Sequence, residues 1–208
     1  MQKSPVVLWE VDTQEDFMLP GGKLYVPGAE KIIPNIDRLV ELARVGRVLL
    51  VSDACEHSPD DPEFKTFPPH CIRGTLGARI VPEGLARTVY SIPNHPDAKL
   101  PDSIFENQQI NLEKQTLDVF DNPHAETMVN LLGKDAAYMV FGVVTEHCVR
   151  LAAKGLLDRG CKVSVIKDAI ETLNATEGQR TLDELRVHGA KLISTDEAIA
   201  AVGRESAR

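Results

Sequence analysis

Tyr138-Met-Val-Phe-Gly-Val-Val144 runs directly into Thr145-Glu-His-Cys148-Val-Arg150. The first part is an apolar run of strand length, the pattern of a strand buried on both faces. Beyond it, residues 146–158 carry apolar side chains at helical spacing, and Gly160 closes the segment. The junction therefore reads as strand to helix, with Thr145 offering the chemistry of a helix N-cap. Cys148 falls in the first helical turn, near unpaired backbone N–H groups and the positive end of the helix dipole. Both favour thiolate over thiol, and the thiolate is the nucleophile. A free cysteine is more often a small buried hydrophobe, and by address alone that reading stays ahead for Cys148.

The same alternation extends in both directions. Residues 6–11 form an apolar strand pattern ending at Asp12. Residues 29–45 have helical spacing, with Gly46 as a stop. Residues 48–51 read as a second strand ending at Ser52-Asp53, and short strands are expected at 88–92 and 109–111. A helix at 125–132 precedes the quoted strand. Beyond Gly160 come a strand at 162–166, a helix at 176–188, a strand at 191–194 and a short helical tail. Strands alternating with helices imply right-handed crossovers and a sheet covered on both faces. The expected fold is α/β, a three-layer αβα arrangement around a central, mostly parallel, Rossmann-like sheet. Residues 1–208 are read as a single domain. Such sheets bind ligands beyond the carboxyl ends of their strands, and Asp12, Asp53 and the 145–148 segment all fall there.

Bulk composition narrows the classes. With 43% hydrophobic and 26% charged residues, disordered and fibrous chains are excluded. A net charge of −8, with no basic stripe to offset it, argues against nucleic acid as a partner. The first twelve residues hold only a short apolar run interrupted by acid, so neither a signal peptide nor a membrane span is expected. Four scattered cysteines do not make a disulfide framework, and free thiols in a cytoplasmic setting are the expectation.

A cysteine nucleophile needs a base. Asp12 can serve, although a solvated carboxylate or an Asx turn explains it slightly better when it is taken alone. Asp16 lies further into the loop and fits turn formation. Lys114 taken alone reads as a surface lysine. His124 and His188 look structural or exposed, and His147 should point about 100° away from Cys148 around the helix. Residues 54–82, rich in Pro, Asp, His and Gly, carry no long periodic segment. A loop of that length in a compact domain is usually functional.

The chain resembles the isochorismatase-like cysteine hydrolase superfamily, whose best-known members are nicotinamidases. The resemblance runs through Val11-Asp12-Thr-Gln-Glu-Asp16-Phe17, Pro20-Gly21-Gly22, Val26-Pro27-Gly28, Ile33-Pro34, Phe67-Pro68-Pro69-His70-Cys71-Ile-Arg-Gly74-Thr75-Leu-Gly77, Lys114 and Gly142-Val-Val-Thr145-Glu-His-Cys148-Val. It implies a triad of Asp12, Lys114 and Cys148. It also implies a cis peptide at Val143–Val144 and an oxyanion hole from the Val144 and Cys148 N–H groups. The implied activity is a cysteine-dependent amidohydrolase that releases ammonia from a small carboxamide through a thioester. The alternatives are an isochorismatase-type or N-carbamoyl hydrolase, or a non-catalytic member with a redox-active thiol.

The resemblance further implies one divalent metal (Zn, Mn or Fe), bound by an acid-x-histidine unit and a later histidine. His57 and His70 match the histidines, and Asp53 is the expected acid. Two extra residues separate Asp53 from His57, so an alternative register puts Cys55 on the acid. A closed structural zinc site of Cys55, His57, His70 and Cys71 is a third reading, awkward because His70 and Cys71 are adjacent. No organic cofactor is implied. Phe17, Phe67 and Phe120 are the expected substrate contacts, with ordinary core packing nearly as good an account of Phe17 and Phe67. A homodimer or homotetramer is the implied assembly.

Overall fold

Both faces of the central strand are buried along its whole length, apolar except at Glu10, and that dictates a layered fold. In a computed structural model, which describes residues 6–206, β1 (Val6–Val11) is buried at every position. It is flanked by β2 (Leu49–Cys55) and β5 (Ala137–Gly142), both parallel to it. With β3 (Val89–Ile92), β4 (Gln109–Lys114), β6 (Lys162–Ile170) and β7 (Lys191–Ile193), the sheet has seven strands in the order β3-β4-β2-β1-β5-β6-β7. Every pairing between the seven strands is parallel, so the expectation of a mostly parallel sheet becomes an entirely parallel one.

Helices α2 (Ile33–Arg44) and α6 (Thr195–Ser206) bury Ile36, Leu39, Val40, Ala198 and Val202 in one apolar layer. On the opposite face α3 (Ala125–Leu132), α4 (Arg150–Asp158) and α5 (Ala175–Val187) contribute Met128, Ala152, Leu156 and Leu185 to a second layer around Trp9. The result is the three-layer αβα arrangement. A one-turn helix, α1 (Glu15–Met18), follows β1.

Element boundaries depart from the periodicity in ways that matter for the site. The expected helix at 29–45 begins with a separate 3-10 turn, Ala29–Lys31, and α2 starts afresh with Pro34 in its first turn, where a missing N–H costs nothing. β2 continues past Asp53 to Cys55, and β4 continues to Lys114. Both extensions run through polar residues, which the apolar pattern does not mark. No helix among the described residues is long and apolar enough to cross a membrane.

Candidate active site

β1 stops at Val11, whose register partners are Asp53 on β2 and Gly142 on β5. Gly142 adopts φ 118°, and a Cβ there would run into the Val11 carbonyl, so only glycine lets the two strands stay together to the end. The chain then passes through a cis Val143–Val144 peptide. The N–H groups on either side are taken, Val143 by the Val11 carbonyl at 2.9 Å and Thr145 by the Glu171 carbonyl at 2.8 Å. The Thr145 hydroxyl also donates to Glu171 O, at 2.7 Å. Thr145 thus ties the turn to the end of β6 instead of capping the helix, and Val144 takes the cap position. The expected first α-helical turn is a π-helical one, Thr145–Val149, and α4 begins at Arg150. Single π turns recur at functional sites.

Asp12 leaves β1 with φ 48°, a left-handed conformation that aspartate tolerates better than most residues. Its N–H donates to the Asp53 carbonyl at 3.0 Å, which fixes the exit from the sheet. Lys114, fully buried at the end of β4, donates through Nζ to Asp12 Oδ2 at 2.7 Å. The same Nζ lies 3.2 Å from Cys55 Sγ and 3.6 Å from Cys148 Sγ. The ends of β1, β2 and β4 and the turn after β5 thus meet around one ammonium.

Burial governs the electrostatics. It pushes the Cys148 thiol well above its ordinary value; Asp12 adds to this and Lys114 opposes it. The expectation of a resting thiolate is corrected here, because a dry pocket beside a carboxylate outweighs the field of the helix terminus. Burial disfavours the Lys114 ammonium, but Asp12, with Cys148, Cys55 and Asp53, holds it well above the usual lysine value.

Asp53, expected as a metal ligand, lies inside β2. It accepts from Trp9 Nε1 at 3.0 Å and sits 3.8 Å from Lys114 Nζ. Burial, opposed by Lys114, pushes its pKa up to about 8. Because β2 runs two residues further than its apolar core suggests, Cys55 and not Asp53 reaches the histidines. Cys55, His57 and His70 offer ligand atoms within 4.8 Å of one another, and so do His57, Asp61 and Glu63. Cys71 belongs to neither group; its N–H donates to Asp16 Oδ2 at 2.7 Å, which pins the His70 loop. Gln14 holds Cys55 through Oε1 to its N–H and Nε2 to its carbonyl, both at 2.7 Å.

These donors fit a divalent cation. The His57 ring is fully buried, yet neither nitrogen has a hydrogen-bond partner, and Glu63 Oε2 is likewise unpartnered. Asp61 Oδ2 and Glu63 Oε2 lie 3.1 and 3.6 Å from Nδ1 and Nε2 without hydrogen-bond alignment. Buried polar atoms are almost always paired, so a ring left this way is arranged for something other than protein.

A pocket of about 500 Å³, mouth included, opens over Asp12, Cys148 and His70, walled by Phe17, Leu24, Val26, Phe67 and Leu117. Phe120 is not in it. It stacks 6.2 Å from Trp9, beneath the Arg159 guanidinium at 3.6 Å, and the expected substrate contact at that position is taken by Leu117. His147 does line the pocket, since the wider π turn changes its angular offset from Cys148. Asp61, Glu63 and Leu117 escaped the sequence reading. The signal for the first two was an acid pair just after His57, within a loop already marked as functional.

A family model described as Isochorismatase domain matches residues 6–197. A nicotinamidase/pyrazinamidase of Mycobacterium tuberculosis is 27% identical over 194 residues, spanning 88% of this chain and 95% of that one. Among solved structures, a pyrazinamidase of Pyrococcus horikoshii in complex with zinc is 25% identical, with a TM-score of 0.72 over 90% of this chain and 98% of the other. An isochorismatase-like hydrolase from Alkaliphilus metalliredigens is 24% identical, with a TM-score of 0.76 over 95% and 98% of the two chains. With nearly its whole length matched by that model, the chain belongs to the isochorismatase domain family.

Proposed function

We propose that the protein is a cysteine-dependent amidohydrolase that converts a small carboxamide to its carboxylic acid and ammonia. The observation that carries this reading is the placement of Asp12 Oδ2 and Cys148 Sγ at 2.7 and 3.6 Å from the one buried Lys114 ammonium. The nicotinamidase/pyrazinamidase name of the mycobacterial relative supports the amide class. The apolar pocket walls, Phe17 and Phe67 among them, suit a flat ring bearing the amide.

Cys148 is held as a thiol, so the first step is transfer of its proton to Asp12. The sulfur then attacks the amide carbonyl. The Val144 and Cys148 N–H groups meet the developing oxyanion, a kind of contact worth about 3–4 kcal/mol per donor in transition-state stabilisation. Asp12 returns the proton to the amine as the C–N bond breaks, and ammonia leaves. Asp12 next takes a proton from water, whose oxygen attacks the thioester, and the proton passes back to sulfur as the acid departs. Lys114 holds Asp12 in position through each of these transfers. His57 and His70 would hold a divalent ion at the pocket wall, where it would supply a Lewis acid to orient and polarise a substrate ring.

Ammonia release should be assayed with nicotinamide, pyrazinamide and N-carbamoyl amino acids, and hydrolysis of isochorismate, which carries no nitrogen, should be followed by pyruvate release. Cys148→Ala should lose at least about 10³-fold in turnover of whichever amide is accepted, as removal of a nucleophile does. Wild-type protein quenched during turnover should carry the acyl mass on Cys148. An unchanged rate in Cys148→Ala, or a thiol that alkylates readily in a protein that hydrolyses none of the panel, would overturn the proposal.

A further inference from the structure

Cys55, His57 and His70 offer ligand atoms within 4.8 Å of one another, Glu63 closes a second such group through His57, and the hydrogen bonds around them show which lone pairs are free. His70 Nδ1 lies 2.8 Å from the Pro68 carbonyl. A carbonyl only accepts, so Nδ1 carries the proton and Nε2 keeps its lone pair. His57 Nδ1 faces Asp61, whose other oxygen accepts the Glu63 N–H at 3.0 Å and starts the 3-10 turn Pro62–Lys65. Asp61, held by that turn, stands 3.1 Å from Nδ1, the place from which a carboxylate supports a metal-bound histidine. Nε2 of His57 is left facing Glu63 Oε2, which has no hydrogen-bond partner.

The remaining donor is sulfur. Cys55 is buried, it groups with His57 and His70, and Gln14 clamps its backbone on both sides. Cys55 and Glu63 as anions, with two neutral imidazoles, cancel the charge of a divalent cation. Thiolate with two imidazoles is a donor set that zinc takes in tetrahedral geometry, whereas manganese and magnesium prefer oxygen.

We propose that Cys55 binds a zinc ion as a thiolate, together with His57 and His70 and with Glu63 as a neighbouring counter-charge, in a centre joined to the catalytic triad through the contact between Cys55 Sγ and Lys114 Nζ. This rests on the divalent-metal reading above and deepens it by assigning the ligands and the metal. Binding displaces the Cys55 thiol proton to solvent as the sulfur–metal bond forms. Zinc binding should therefore release a proton and should protect Cys55, but not Cys161, from alkylation.

Cobalt(II) is the probe, because a thiolate ligand gives it a near-ultraviolet sulfur-to-metal charge-transfer band that oxygen and nitrogen ligands do not. Full-length protein stripped with chelator and reloaded with cobalt should show this band. Cys55→Ser should abolish it and weaken zinc by at least about 10–100-fold, the loss typical of even an outer-shell change. Cys148→Ser should keep the band. Zinc-edge X-ray absorption on wild-type protein needs no variant to fold, and should resolve one sulfur at about 2.3 Å among nitrogen and oxygen ligands. Stoichiometric metal with no sulfur signal, or a band that survives Cys55→Ser, would sink the thiolate assignment and leave the metal reading standing. Protein that holds neither zinc nor cobalt would overturn both.

Discussion

Lys114 has no route to solvent, so its ammonium must find its counter-charge inside the protein. Asp12 supplies it at 2.7 Å, and two sulfurs, the Thr116 carbonyl and Asp53 Oδ1 at 3.8 Å complete its surroundings. Removing one partner of a buried pair strands the other, at a cost of about 3–5 kcal/mol. Lys114→Met should accordingly destabilise the fold by about that amount in urea melts and abolish turnover. Adding Asp12→Asn removes the stranded carboxylate, and the double variant should regain part of the lost stability while staying inactive. A double variant no more stable than Lys114→Met would show that Lys114 stabilises the fold by packing rather than by charge. None of this was legible in the residue itself. A lysine after a short strand reads as a surface residue, and only the resemblance to a known family raised it to a catalytic candidate. Asp12 was half legible, because strand ends in parallel sheets point at ligands whatever their sequence.

The strand ends are where the fold makes the site, and they were also where periodicity was least informative. Seven strands in the right places, and helices between them, follow from apolar runs and their glycine stops. The polar last residues of β2 and β4 do not show in such runs, because Asp53, Cys55 and Lys114 are buried for chemistry and not for their apolarity. That is why Asp53 was expected beside the two histidines and Cys55 lies there instead. At β5 the critical element is Gly142, where two effects coincide: φ of 118° and a backbone neighbour where a side chain would stand. Gly142→Ala should destabilise the protein by about 2 kcal/mol or more, combining left-handed strain with overpacking. Gly46, also at positive φ but with nothing within 4 Å of an added Cβ, is the control. Gly46→Ala should cost only the conformational term of about 1–2 kcal/mol and leave amide turnover unchanged. Equal melting temperatures for the two variants would mean that the approach of β5 to Val11 relaxes without cost.

Across the whole molecule, the sheet carries buried acid in its central strand. Glu10 is wholly buried among Thr13, Ser52 and Gln109, and accepts from the Thr13 hydroxyl at 2.8 Å. Burial pushes its pKa from 4.5 up to about 8, against the Thr13 bond, with Asp53 adding to the rise and Arg44 opposing it. Asp53, near the end of β2, is raised from 3.8 to about 8 as well, again by burial. In both cases the folded protein holds a proton that the unfolded chain gives up at lower pH. Stability falls wherever the native state binds more protons. The contribution of Glu10 is therefore complete below about pH 4.5 and lost as pH rises to about 8. His70, held by burial below its usual value, gives an opposing slope near neutrality, so the wild-type profile is a sum. Glu10→Gln isolates one part of it, since the amide cannot titrate whatever its absolute effect on stability. Urea melts of chelator-treated wild type should give a lower midpoint at pH 8 than at pH 5, with each unit of pKa shift worth about 1.4 kcal/mol. In Glu10→Gln the decline should be visibly shallower over the same range. Parallel profiles for the two proteins would mean that Glu10 is ionised in the folded sheet, with its charge met by Arg44 and the surrounding hydroxyls, and the acid in the central strand would then add nothing to the pH dependence of the fold.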